Sequence, residues 1–190
     1  MPRIPYADIA KASPEVQKLY GRLNSPLNIY RMLAHADTAM YGYLKMGNAL
    51  LFKAALDPVL RELAILRVGH LCQAPYEVHQ HENISRQLGM AEVKLQALQE
   101  GPGAPAFDEL ERLVLTFTDE VGREVRASAQ PRAALQARFS TRQIAELVLT
   151  VGFYQMTCAF LENMGVELEP PGTLDRPMDV LAETAKARPS

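Results

Sequence analysis

Apolar positions recur along almost the whole chain with a spacing of three to four residues, the signature of amphipathic helices. After the start signal Ser13-Pro14-Glu15, residues Val16, Leu19, Tyr20 and Leu23 line one helical face, and Asn24-Ser25-Pro26 breaks the helix. Residues 1 to 12 ahead of it read as an extended lead-in. Further helices are predicted over 27–35 and 37–52, the latter rich in Met40, Tyr41, Leu44, Met46 and Leu50. Gly42 and Gly47 within it suggest close helix packing. A short amphipathic piece spans Ala91 to Leu98, and Gly101-Pro102-Gly103-Ala104-Pro105 is a loop. Asp108 caps a helix with a buried stripe of Leu110, Leu113, Val114 and Phe117, and Pro131 opens a shorter one ending near Phe139. Ser140 and Gln143 form a capping box for a long apolar helix from Thr141 to Met164, which Gly165 stops. Alternating patterns never persist, so the fold class is all-α, over a single domain of residues 1–169. Residues 170–190, opening on Pro170-Pro171-Gly172, read as an extended arm with one helical turn around Val180-Leu181.

The pattern centres on Asp57 to Met90, which signals a pair of helices. Asp57 is an N-cap and Pro58 occupies the first helical position, where its missing N–H costs nothing. The helix that follows is apolar nearly all round, so it is read as buried and central. It nevertheless carries Glu62. Pro75 opens the second helix and Gly89 ends it. Glu77, His81, Ile84 and Leu88 share one face of that helix, so a carboxylate and an imidazole head a core-facing stripe. The short connection makes the two helices antiparallel neighbours. Glu62 lies about 12 residues before Ala74 and His81 about 7 after it, a difference in level of about 8 Å at about 1.5 Å per residue. The two side chains therefore meet only if the helices cross or a long side chain spans the gap.

Composition narrows the setting. A chain of 190 residues with 48% hydrophobic and 22% charged residues can bury a core unaided. A net charge of −2 and no basic run give no electrostatic case for nucleic acid. No apolar run approaches the roughly 20 residues that span a bilayer, so no membrane partner is expected. Two cysteines, Cys72 and Cys158, make no disulfide framework. With no apolar segment after Met1-Pro2-Arg3, a cytoplasmic protein is expected. The surplus of apolar helix over 37–52 and 141–164 predicts a homo-oligomer, in which the C-terminal arm packs on a neighbouring subunit.

The run from Glu62 through Ala74-Pro75-Tyr76-Glu77-Val78-His79-Gln80-His81 resembles the signature of the carboxymuconolactone decarboxylase superfamily, which includes the alkylhydroperoxidase D-like (AhpD-like) proteins. The similarity extends over Asn28 to Leu33 and Glu146 to Met164. It implies an AhpD-like helical bundle, a trimer or hexamer, and a site built on Glu62 and His81. In the AhpD-like branch a Cys-x-x-Cys pair stands between the glutamate and the histidine. Here Ala74 and Glu77 occupy those places. Disulfide exchange needs a thiolate attacking across a dithiol, so the departure opposes redox chemistry at the motif.

The candidate catalytic residues are therefore Glu62, Glu77 and His81, with no cofactor. A desolvated glutamate suits general acid–base work, and Glu77 one turn before His81 can orient the imidazole. The bland alternative for Glu62 is a structural ion pair with Arg67 or Arg86. The same three residues could instead hold a divalent metal, since i, i+4 spacing suits two ligands. Cys72 is read as a small buried hydrophobe, or as a peroxidatic thiol if His70 or His81 lowers its pKa. His79 lies about 200° round the helix from His81 and is read as a surface residue. Three function classes follow. The first is a cofactor-independent enzyme acting on a small cyclic acid or lactone by Glu/His proton transfer. The second is an AhpD-like peroxidase, and the third is a non-catalytic binding or structural protein.

Overall fold

The structure, a computed structural model, describes residues 2–23 and 27–170. The Pro-rich arm, with the turn expected at Val180-Leu181, lies outside the described residues from 171 onward. Among those described there are nine α-helices and no strand: α1 (Pro14–Tyr20), α2 (Asn28–Leu33), α3 (Asp37–Phe52), α4 (Pro58–Leu71), α5 (Pro75–Gln87), α6 (Glu92–Ala97), α7 (Glu109–Glu124), α8 (Ala129–Arg138) and α9 (Thr141–Met164). Two details differ from the sequence expectation. The lead-in holds a single 3-10 turn, Ile9–Lys11, which Asp8 caps by accepting the Ala10 N–H at 3.2 Å. And α8 starts two residues before Pro131, which sits inside the first turn where its missing N–H is again harmless.

The described residues form two compact units, one from residues 2–23, 27–53 and 160–170 and the other from residues 54–159. In the first unit, α1 and α2 pack against α3 around Val16, Met32 and Met40, each fully buried. Leu27 offers α2 no side-chain cap. Instead the Glu169 carboxylate accepts the Asn28 N–H at 2.6 Å, a charge placed where the helix dipole favours it. Gly42, expected at a close helix contact, faces open space.

The second unit is built on α4, whose residues Leu60 to Gly69 are all buried, with α7 and α5 packed against it. Asp57 caps α4 by accepting the N–H groups of Val59 and Leu60 at 2.9 and 3.1 Å. Glu146, near the start of α9, accepts the N–H groups of Ala55 and Leu56 at 2.7 and 2.9 Å, so the entry to α4 is pinned to α9. Arg67 leaves the far side of α4 for a bidentate pair with Asp119 at 2.5 and 2.8 Å, and also donates to the Leu98 carbonyl at 2.8 Å. Its guanidinium lies where a Cβ at Gly101 would stand, 2.7 Å away, and Gly101 has a φ of +94°; both facts require glycine there.

By length and mean hydropathy α9 is the one helix among those described that could cross a membrane, which the sequence expectation passed over. Within the second unit, Leu147, Thr150, Val151, Phe153, Tyr154 and Cys158 on this helix are all buried. Burial of that kind is what a core helix shows.

Candidate active site

The end of α4 sets the geometry. Gln73 adopts a left-handed φ of +53°, Ala74 N–H reaches the Gly69 carbonyl at 2.9 Å, and Gln73 N–H reaches the His70 carbonyl at 3.2 Å. This is a Schellman stop, and it reverses the chain straight into Pro75 and α5. Gly69 lets α5 come close: a Cβ there would stand 2.9 Å from the Val78 side chain. With the two backbones that near, the difference in level between Glu62 and His81 is bridged by their side chains.

His81 Nδ1 lies 2.5 Å from Glu62 Oε2, and Nε2 lies 3.0 Å from Glu77 Oε1. All three residues are at most 6% exposed. The imidazole therefore sits between two carboxylates, one on each ring nitrogen. Glu77 reaches it from one turn earlier on α5, and Glu62 reaches it from α4. The Tyr154 ring of α9 stands edge-on to the imidazole, with centroids 4.9 Å apart. Glu62 is held from its other side by Arg61, whose Nε and Nη2 donate to Oε1 at 3.2 and 3.1 Å.

Charge accounting fixes the state of the histidine. Arg61 is 3% exposed and positive and pairs with Glu62, while Glu77 is buried on the other edge of the imidazole. With neutral His81 the cluster would carry a buried net negative charge; with an imidazolium it balances. Burial alone would push the imidazole down, but the charges of Glu62 and then Glu77, with their hydrogen bonds, outweigh it and hold the pKa up to about 10. His81 is thus a cation at neutral pH, donating from both nitrogens.

Several expectations are corrected by this arrangement. The arginine beside Glu62 is Arg61, whereas Arg67 pairs with Asp119 and Arg86 with Glu82 and Glu92. The metal arrangement is not formed: among the described residues no three His, Cys, Asp or Glu side chains converge on one point. The physical reason is that Glu62 and Glu77 approach opposite edges of the ring. His79 is exposed. Cys72 is only half-buried, and its thiol is held down to about 7 chiefly by a hydrogen bond from Cys158, against burial and the Glu77 charge, with neither His70 nor His81 responsible. Arg61 and the Cys158 contact were not foreseen. The one signal for Arg61 is that a second charge stands next to Glu62 in otherwise apolar text.

Residues 37–120 match the carboxymuconolactone decarboxylase family. No curated protein matches the chain. A peroxidase-related protein with an alkylhydroperoxidase AhpD core from Ralstonia eutropha JMP134 superposes with a TM-score of 0.76 at 16% identity, covering 88% of this chain and 92% of that one. A second peroxidase-related protein, from Silicibacter sp. TM1040, gives 0.74 at 21% identity over 92% and 98%. The debrominase Bmp8, solved in complex with 2,3,4-tribromopyrrole, gives 0.66 at 16% identity over 90% and 94%. These likenesses establish the shared fold. The match over 37–120 takes in Glu62, Ala74, Glu77 and His81, so this stretch is similar to the carboxymuconolactone decarboxylase family, with Ala74 and Glu77 in the places of a Cys-x-x-Cys pair.

Proposed function

We propose that the chain is a cofactor-independent enzyme that moves a proton to or from a small cyclic acid or lactone, using Glu62, His81 and Glu77 as one relay. The observation that carries this is the imidazole held at 2.5 and 3.0 Å between two buried carboxylates. A cation with both N–H groups committed cannot itself be the base. It can pass a proton from one carboxylate to the other. Glu77 stands in the first turn of α5 beside the half-buried Cys72, so it is the end of the relay assigned to the substrate. Glu62, fully buried and held by Arg61, is the inner end. Protonation of Glu77 leaves the substrate facing a neutral acid; its loss of the proton leaves a carboxylate beside a cation, a state that His81 stabilises. At the place where the AhpD-like signature puts its second cysteine, this chain thus carries an acid–base group in place of a thiol.

The family match and the debrominase neighbour support a small-molecule substrate. Two free thiols suit the reducing cytoplasm. The test is turnover of lactones and cyclic carboxylic acids of the carboxymuconolactone class, followed by loss of the carboxyl group. Glu62→Gln keeps the shape but cannot titrate, so it should lower turnover by at least about 100-fold with an unchanged far-UV spectrum. Cys72→Ser should leave turnover nearly unchanged. Full activity in Glu62→Gln would refute the relay, and loss of all activity in Cys72→Ser would move the chemistry to the thiol.

A further inference from the structure

His81 meets a carboxylate oxygen at each ring nitrogen, Glu62 at 2.5 Å and Glu77 at 3.0 Å. A carboxylate oxygen accepts, so both nitrogens donate and the ring is a cation. Arg61 supplies a second positive charge through Nε and Nη2, both donating to Oε1 of Glu62. Two cations and two anions cancel, in a cluster whose four members are 0–6% exposed. That neutrality is what makes such a group of charges tolerable away from water.

The cations in and around this cluster are committed. Both N–H groups of His81 are engaged, and Arg61 pairs with Glu62. Arg67, further along α4, pairs with Asp119 of α7, and Lys94 of α6 pairs with Glu111 of α7. Burial and the Arg67 charge hold His70 below its ordinary value, so it is neutral at pH 7. Among the described residues Glu77 pairs with no arginine or lysine. The other groups beside the relay add no positive charge. Tyr154 of α9, edge-on to the imidazole, is a phenol, and Cys72 at the end of α4 is a thiol that feels the Glu77 charge. A substrate carboxylate arriving at Glu77 therefore meets a second carboxylate, with no cation to receive it and too little water to screen the two.

We infer that the substrate is uncharged where it meets Glu77, a lactone or ring ketone with an acidic C–H beside its carbonyl, and that a free carboxylate is turned away there unless it brings a proton with it. This rests on the relay reading, with Glu77 as its substrate end, and narrows the choice between acid and lactone. The proton transfer then balances. Glu77 takes the proton of the C–H, and the electron pair of that bond stays on the ring as an enolate. The cluster passes from neutral to one positive charge, which faces the one negative charge of the enolate. At no stage does the buried site hold a net charge. A carboxyl group elsewhere on the same ring has to point away from Glu77.

Two probes of similar size decide it, the neutral lactone 2(5H)-furanone and the ring carboxylate 2-furoate, each titrated into the intact protein between pH 5 and 7. Calorimetry in buffers of different ionisation heat counts the protons taken up. Furanone should bind with one affinity across the range and without proton uptake. Furoate should weaken by about 10-fold per pH unit, about 100-fold in all, and take up one proton for each molecule bound. Glu77→Gln leaves the cluster one positive charge over, which a carboxylate can balance. In that variant furoate should bind at pH 7 at least about 10-fold more tightly than in the wild type, with no proton uptake. Furoate that binds the wild type equally at pH 5 and 7, furoate that binds it without taking up a proton, or furanone that does not bind would each overturn the inference. These are binding readouts, whereas the relay itself fails by full turnover in Glu62→Gln, so the two failures are told apart.

Discussion

Raising the pH through the alkaline range tests the charge on His81 directly. The folded pKa of about 10 stands above the ordinary value of 6.5, so the imidazolium stabilises the fold fully below pH 6.5. That contribution is lost as pH rises through the interval and is gone above about 10. At about 1.4 kcal/mol per pH unit, the interval from 6.5 to about 10 corresponds to about 5 kcal/mol, a large share of the stability of a small domain. Cys72 works in the opposite direction: its pKa is lowered from 9.0 to about 7, so its contribution is present above 9 and lost as pH falls through 7. The measurement is therefore made in a Cys72→Ser background, by urea midpoints at several pH values between 6 and 10.5. The midpoint should fall steadily across that range. In Glu62→Gln the slope should shrink by more than half, since Glu62 makes the shorter of the two contacts to the ring. Imidazole nitrogen shifts read by NMR supply the independent check: His81 should keep its imidazolium signature at pH 8.5. A flat midpoint, or a His81 that loses its proton below pH 8, would refute the balanced-cluster argument.

Other expectations follow from backbone and packing. Val125 ends α7 with a φ of +66° while its side chain is 88% exposed, so a β-branched residue sits in the left-handed region with little contact to lose. Val125→Gly should raise stability by about 1 kcal/mol, seen as a higher melting temperature; a lower one would contradict the strain. Gly69→Ala should cost about 1–3 kcal/mol because its Cβ meets the Val78 side chain at 2.9 Å, and Val78→Ala should recover part of that loss in a thermal melt. Light scattering should give a homo-oligomer, a trimer or hexamer by the superfamily resemblance. Val148, Leu149 and Met156 on α9 are 42–51% exposed, more apolar surface than an isolated chain need present. A mass near 21.1 kDa at micromolar concentration would refute it.

What the sequence determined by itself was everything local. Asp57-Pro58, Asp108 and Ser140 with Gln143 start their helices because a side chain caps N–H groups within three residues, and each contact is present in the structure. The i, i+4 pairing of Glu77 with His81 is equally local, a consequence of 3.6 residues per turn. The contact between Glu62 and His81 was not. By helix rise alone the two stand about 8 Å apart in level. Only the close approach of α4 and α5 at Gly69 lets their side chains meet at 2.5 Å. Arg61 could not be chosen over Arg67 as the partner of Glu62 until packing sent Arg67 to Asp119. Cys72 and Cys158 show the same division most plainly. Each reads as an apolar residue in its own helix, and no periodicity relates positions 86 apart. Their contact depends on where α9 crosses the end of α4, and that crossing is set by the shape of a shared core, to which every buried side chain contributes at once.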